Sequence, residues 1–453
     1  MFFDFLTLSL PLWCYFFAIL YSSFLGRQPA ILNIHSRSRW VSVLVALTCF
    51  LLLFSPATTG FAKSKKDGLM SNYTKVKAAY VMDAKSGQTL YENKADKTLP
   101  IASLSKMMTL YLTTEAINQH KLHWSDKVAV DKNLIKMSKN YGLGTFKIKR
   151  SKQYTVKQLY QAALIASSNS AAIALGNAVA GGSNAKFIAM MNKQAKDWGI
   201  AAHFISSSGL DNTDLKHYGY RLPNTSASAQ NMVSAKAISV VAQHLVAAFP
   251  QISKWSSKAT YDLDGQTLVN ANALVKDGTY YRASNHLTGL KTGYTETAGL
   301  CLTVTYWRNG RELIATILGS DTTFTAMNGL ITHLDKTLLN KTVKQSNKTY
   351  RVKNQKVTAA PTETTTKIWY RKGQDASKIK VSNQLTATKL PIQKGSQVTT
   401  TSFENTGLPA TTNLGETATK TVKKQSAQQS NTGGTNWFGH FFKQVGHFFS
   451  HLF

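Results

Sequence analysis

The sequence predicts an α+β domain, a sheet whose strands come from the two ends of a helical middle. Three observations carry this reading. Ala78–Asp83 and Gln88–Glu92 are strand-like runs on either side of the turn Lys85-Ser86-Gly87. Leu300–Trp307 and Glu312–Leu318 flank Arg308-Asn309-Gly310-Arg311, and Asn-Gly between two such runs is a strong hairpin signal. Between the two pairs, residues 155–180, Asn184–Trp198 and Val233–Phe249 carry apolar residues at helical spacing. Strands at both ends with helices between them predict a mixed sheet covered by helices.

The chain has 453 residues, room for two or three domains. Its apolar and charged fractions are ordinary, but Lys and Arg number 53 against 22 Asp and Glu, a net charge of +31. Such an excess points to an anionic partner: nucleic acid, an anionic membrane or an anionic polymer. No zinc-finger spacing and no RNA-binding aromatic signature accompanies it, which argues against nucleic acid. Cys14 and Cys49 lie in the apolar N-terminal region and leave Cys301 alone in the body, so no disulfide framework is predicted.

Residues 1–62 hold two apolar segments, Phe2–Leu25 and Trp40–Phe54, with His35, Arg37 and Arg39 between them. The second ends in Gly60-Phe61-Ala62, small residues at the two positions a signal peptidase reads. A basic region, a short apolar core and a small-x-small end predict a signal peptide, or hydrophobic leader, cleaved after Ala62. The alternative is a two-pass membrane anchor. The first segment is unusual for a signal peptide, and a start placed upstream of the true one would explain it. On either reading the body lies outside the cytoplasm.

Near residue 345 helical periodicity ends. Short Thr-, Val- and Lys-rich runs such as Lys367–Tyr370 and Gln397–Ser402 replace it, predicting a small all-β domain over 344–412. Residues 413–435 are rich in Thr, Gln, Ser and Gly with almost no apolar content, the composition of a flexible linker. In 436–453, Trp437, Phe438, Phe441, Phe442, Val445, Phe448, Phe449 and Leu452 recur at spacings of three and four, an amphipathic helix too short and polar to span a bilayer. Its predicted place is an anionic membrane surface; docking to a protein partner is the alternative. His440, His447 and His451 fall on the solvated face, and no metal site is assigned to them.

The chemistry concentrates at Pro100-Ile101-Ala102-Ser103-Leu104-Ser105-Lys106-Met107-Met108-Thr109. A serine hydroxyl needs a base within hydrogen-bond reach to act as a nucleophile. Positions i and i+3 of a helix share a face, so Ser103 and Lys106 can point at the same space. The apolar run that follows predicts a buried helix, and a lysine buried beside another cation loses its proton more readily. Ser-x-x-Lys alone is a cheap match, recurring at Ser183/Lys186 and Ser377/Lys380. Its company is more specific: Ser167-x-Asn169, then Lys291-Thr292-Gly293.

These three motifs in order resemble the penicillin-interacting serine enzymes, which include class A β-lactamases and penicillin-binding proteins. Residues 101–109, Ser208-Gly209-Leu210-Asp211 and Gly289–Gly299 make the chain similar to the low-molecular-mass D-alanyl-D-alanine carboxypeptidases over about residues 75–320. The later β domain, linker and tail match that family's architecture. The resemblance implies a β-lactamase/transpeptidase-like fold with an antiparallel sheet covered by helices, within a catalytic domain of residues 63–343. It implies Ser103 as nucleophile, Lys106 as base, and Ser167 and Asn169 as a proton-relaying and orienting pair. Lys291, Thr292, Gly293 and Tyr294 would bind substrate, with the amides of Ser103 and Tyr294 as oxyanion hole. No cofactor or metal is implied. The partners implied are a peptidoglycan stem peptide and β-lactams as inhibitors, at the outer face of the bacterial cytoplasmic membrane or in the cell wall. Ser138-Lys139-Asn140 also fits the second motif; Ser167 is preferred because it lies between two helical runs about 60 residues beyond the nucleophile. A transpeptidase would use the same motifs. A class A β-lactamase would carry a deacylating glutamate between the second and third motifs, and residues 170–290 contain none.

Overall fold

The computed structural model describes residues 76–361, 363–411 and 415–423. The predicted leader, the tail helix and most of the predicted linker lie outside them.

Five strands form the central sheet, in the order Leu287–Thr295, Gly299–Arg308, Arg311–Ser320, Ala78–Asp83, Thr89–Asn93. Every pairing is antiparallel, so the mixed sheet read from element order is corrected to the antiparallel one that the resemblance implied. The reason is local. Short turns join strands within the two groups, and a short turn reverses direction. The first strand then closes the sheet against the last, with Ala78 opposite Leu318. At the Arg308–Arg311 hairpin, Asn309 and Gly310 both take positive φ, 49° and 69°, as a two-residue turn matched to strand twist requires.

Side chains alternate across the sheet and build two cores. Ala78, Tyr80, Met82, Ile314 and Leu318 face one core, with the helices Lys106–Asn118, Val156–Ile165, Asn169–Val179 and Ala235–Ala248. Ala79, Val81, Leu313, Ala315 and Ile317 face the other, under Thr323–Thr337. That last helix has no counterpart in the sequence reading. Every residue of Lys106–Thr114 in the helix Lys106–Asn118 is buried; Thr113 and Thr114 satisfy their hydroxyls on the carbonyls of Thr109 and Leu110, one turn back.

The β region extends beyond 344–412 at both ends. Leu338–Lys344 pairs with Thr365–Arg371, because Leu338 and Trp369 bury together in the second core. At the far end Thr417–Ala418 pairs with the strand Gln355–Ala360, and Val422 bridges to Ile392. Residues 415–423, read as linker, are therefore structured. Glu416 is buried, taking hydrogen bonds from Tyr350 and Asn383, and Ala418 and Val422 fill a small core.

This region is fastened to the sheet by a buried polar cluster. Asp83 accepts from Trp369 Nε1 at 2.8 Å, from Arg311 Nε at 2.8 Å and from the amides of Lys85 and Ser86. Arg311 also reaches Glu363, and Gln88 exchanges two 2.8 Å hydrogen bonds with the backbone of Trp369.

Candidate active site

The turn that carries Ser103, the expected nucleophile, is one turn of 3₁₀ helix, Ala102–Ser105, running directly into the helix Lys106–Asn118. In that tighter helix side chains three apart eclipse, so Ser103 and Lys106 are brought together: Nζ lies 2.8 Å from Ser103 Oγ. Two further acceptors complete the lysine's surroundings, Asn169 Oδ1 at 2.8 Å and the Ser208 carbonyl at 2.7 Å. Lys106 is fully buried. Burial, and then the charge of Lys291, hold its pKa well below the usual lysine value.

Asn169 opens the helix Asn169–Val179. Its Nδ2 donates to the Leu143 carbonyl at 2.9 Å, which turns Oδ1 toward Lys106. Ser167 sits between two helices, as expected, with φ at +57°. Its side chain lines the same cleft as Ser103 and hydrogen-bonds no described residue. Ala102, just before Ser103, also takes a positive φ, 46°. A left-handed non-glycine residue costs on the order of 1–3 kcal/mol and persists only where its surroundings impose it. Ser138 serves structure instead, donating to Ile135 and accepting from the Ile148 amide.

The third motif lies on the edge strand Leu287–Thr295. Lys291 is buried, its Nζ donating to the Thr292 carbonyl at 2.9 Å, and burial lowers its pKa to about 7. Thr292, Gly293 and Tyr294 line the cleft; Lys291 lies behind them. Gly293 is required by space. A Cβ there would stand 2.8 Å from the Ile101 carbonyl and 3.1 Å from the amide nitrogens of Ser103 and Leu104. The strand is thereby held against the nucleophile turn. Gly209 plays the same part on the other flank: its φ is +84°, and a Cβ would meet the Ala102 carbonyl oxygen at 2.0 Å.

The cleft measures about 260 Å³ and is walled also by Leu143, Thr145, Leu300, Thr323 and Phe324. A larger cleft, about 670 Å³, runs between the sheet edge and the β region and holds none of the motif residues. Among the described residues no group of three or more His, Cys, Asp or Glu could hold a metal. Sequence reasoning missed the roles of the Ser208 and Leu143 carbonyls. The Ser208-Gly209-Leu210-Asp211 match marked the first segment without a role; nothing in the sequence marked the second.

Residues 66–322 match the family described as Peptidase_S11, D-alanyl-D-alanine carboxypeptidase. The chain belongs to this family. D-alanyl-D-alanine carboxypeptidase DacF of Bacillus subtilis is 28% identical over 286 residues, 62% of this chain and 66% of that protein. DacC of Escherichia coli is 29% identical over 282 residues, 62% and 64% of the two chains. The matched stretch is thus under two thirds of either relative's length. The structure of a peptidoglycan synthesis regulatory factor, PBP3 of Streptococcus pneumoniae, superposes with a TM-score of 0.60 at 25% identity, covering 77% of this chain and 99% of that one. Penicillin-binding protein 5 of Haemophilus influenzae shares the fold, with a TM-score of 0.58 at 21% identity over 77% of this chain and 98% of that one.

Proposed function

We propose that the protein is a serine-type D-alanyl-D-alanine carboxypeptidase that trims the terminal D-alanine from peptidoglycan stem pentapeptides through an acyl-enzyme. The observation that carries the reading is the arrangement at Lys106. A neutral amine has two N–H bonds and one lone pair. The Asn169 amide oxygen and the Ser208 carbonyl are acceptors only, and so take the two N–H bonds. The lone pair is left for the Ser103 hydroxyl. Burial and Lys291 keep the amine free to accept that proton.

In this reading Ser103 attacks the carbonyl of the penultimate D-alanine while Lys106 takes its proton. The oxyanion forms between the amides of Ser103 and Tyr294, which Gly293 allows to approach. Ser167 passes a proton to the leaving D-alanine, and Asn169 orients the substrate amide. Lys291 and Thr292 supply positive charge and a hydroxyl for the terminal carboxylate. The edge strand pairs with the extended peptide. Water then releases the acyl group. β-Lactams, which mimic the D-alanyl-D-alanine end, would acylate Ser103 in the same way.

The test is release of free D-alanine from a D-alanyl-D-alanine pentapeptide by the mature chain, together with labelling by a fluorescent penicillin. Ser103→Ala should abolish both. Undiminished labelling of that variant would remove Ser103 from the mechanism. The protein acts outside the cytoplasmic membrane on this reading, with 436–453 resting on anionic lipid. Deleting those residues should move the mature protein to the soluble fraction with penicillin binding intact; retention on the membrane would assign the anchor elsewhere.

A further inference from the structure

The Ser208 carbonyl that receives Lys106 lies in the irregular segment 205–209, and one side chain ties that segment down. Asn231 Oδ1 accepts from the amides of Ile205 at 2.7 Å and Ser206 at 3.0 Å. Its Nδ2 donates to the Ser206 carbonyl at 2.8 Å and to Ser105 Oγ at 2.7 Å. All four hydrogen-bonding positions of the amide are used, and the residue is 2% exposed. From Ser206 the frame continues to the carbonyl in question, since Ser206 Oγ accepts from the amides of Ser208 and Gly209 at 3.2 and 3.1 Å. From Ser105 it continues to the nucleophile turn, where Ser105 Oγ donates to the Ala102 carbonyl at 2.7 Å. Asn231 thus joins the same two segments that Lys106 joins. It is also fixed from a third side. The next residue, Met232, begins the strand Met232–Ser234, which pairs with Thr98–Pro100 at the entry to the nucleophile turn.

We propose that Asn231 is a positioning residue for acyl transfer. By locking segment 205–209 to the nucleophile turn, it sets the Ser208 carbonyl where it takes one N–H of Lys106 and so aims the lone pair at Ser103 Oγ. If the carbonyl withdraws, the amine is free to rotate about its stem, and the lone pair no longer has one preferred direction. The inference rests on the reading of Lys106 as base.

Asn231→Asp tests it. The carboxylate keeps the size of the amide and the acceptor for Ile205 and Ser206, but it turns an acceptor toward the Ser206 carbonyl and can no longer donate to Ser105. The rate of acylation of the mature chain by a fluorescent penicillin is measured from about pH 5 to 9, with the dissociation constant of the initial non-covalent complex taken from its concentration dependence. Misplacing a reacting group by about 1 Å costs about 100-fold, and that loss is expected in the acylation rate constant, with initial binding unchanged. The acid limb of the profile is expected to move to higher pH. The charged group that acts on Lys106 in the wild type is Lys291, a cation, and a new carboxylate opposes it. A folded Asn231→Asp chain with the wild-type rate and limb would overturn the inference, because a scaffolding amide would change stability alone. If that variant does not fold, Ser206→Ala takes its place. It removes the hydroxyl that accepts from the Ser208 and Gly209 amides and meets Ser208 Oγ at 3.0 Å, and a loss of about tenfold in rate is expected. An unchanged rate there overturns the inference equally. If the wild type itself is not acylated, the proposed function fails, which is a separate outcome.

Discussion

One sheet buries cations in two ways. Near the edge strand, Lys106 and Lys291 are enclosed among hydroxyl, amide and carbonyl groups, and both are shifted toward the neutral amine. At the hairpin where the β region is fastened, Arg311 is 7% exposed and lies between Asp83 and Glu363. Burial alone would lower its pKa, but the two carboxylates outweigh this and raise it. The difference matches the part each end plays in the proposed mechanism. Lys106, which gives up its proton on the proposed mechanism, is buried without a counter-charge, and as a lysine, whose pKa burial can move. A cation that must hold two segments together is buried with carboxylates, and as an arginine, which keeps its charge and offers a forked donor.

Exchanging these roles should be costly, most of all at the catalytic end. Lys106→Arg keeps the charge but cannot act as a base, and losing a general base costs about 10²–10⁴-fold. Acylation by a fluorescent penicillin should fall by that much while the fold, followed by circular dichroism, is retained. A variant that acylates at near wild-type rate would show that Lys106 is not the base.

At the other end the effect should fall on stability. Arg311→Met strands Asp83 as a buried charge, and breaking one partner of a buried pair costs about 3–5 kcal/mol. Chemical denaturation should show that loss, while the folded fraction acylates at the wild-type rate. A stability change under about 1 kcal/mol would mean that solvent relaxes into the site. A chain cut at residue 343 would lose Glu363 and Trp369 from the same cluster, so function is best assayed with the β region retained.

The last expected effect is a pH dependence. The Lys291 ammonium loses its proton at about pH 7 when folded and near pH ~10.4 when unfolded. Between those values the unfolded chain binds more protons, so stability rises with pH across the window; below it, the full cost of burying the charge is present. Lys291→Met should flatten this rise and raise Tm by a few degrees at about pH 6. Equal wild-type and variant slopes would show that Lys291 is not depressed.

The two ends also differ in how far the sequence disclosed them. The catalytic end was legible because its chemistry sits in three short motifs whose spacing the nucleophile turn and the edge strand fix. What escaped there was backbone: the Ser208 and Leu143 carbonyls act as acceptors, and a carbonyl leaves no mark on residue type. Asn231 escaped because its four partners are distant in sequence. The fastening end was barely legible. Asp83 meets Arg311, Glu363 and Trp369 from more than two hundred residues away, and the reach of the β region from Leu338 to Val422 among the described residues did not show in composition. The helix Thr323–Thr337, with its mixture of Thr, Asn and Gly among apolar residues, was missed for a related reason: packing against the second core, rather than strong intrinsic preference, makes it helical.

The central claim is that Lys106 stands neutral, its lone pair on Ser103, at working pH. The pH dependence of the acylation rate constant tests it most directly. With a neutral Lys106 the rate is expected to be already on its plateau at neutral pH and to fall only on the acid side. An ordinary lysine, with a pKa near ~10.4, would instead give a rate climbing about tenfold per pH unit from pH ~7 to ~10, and that result would contradict the account.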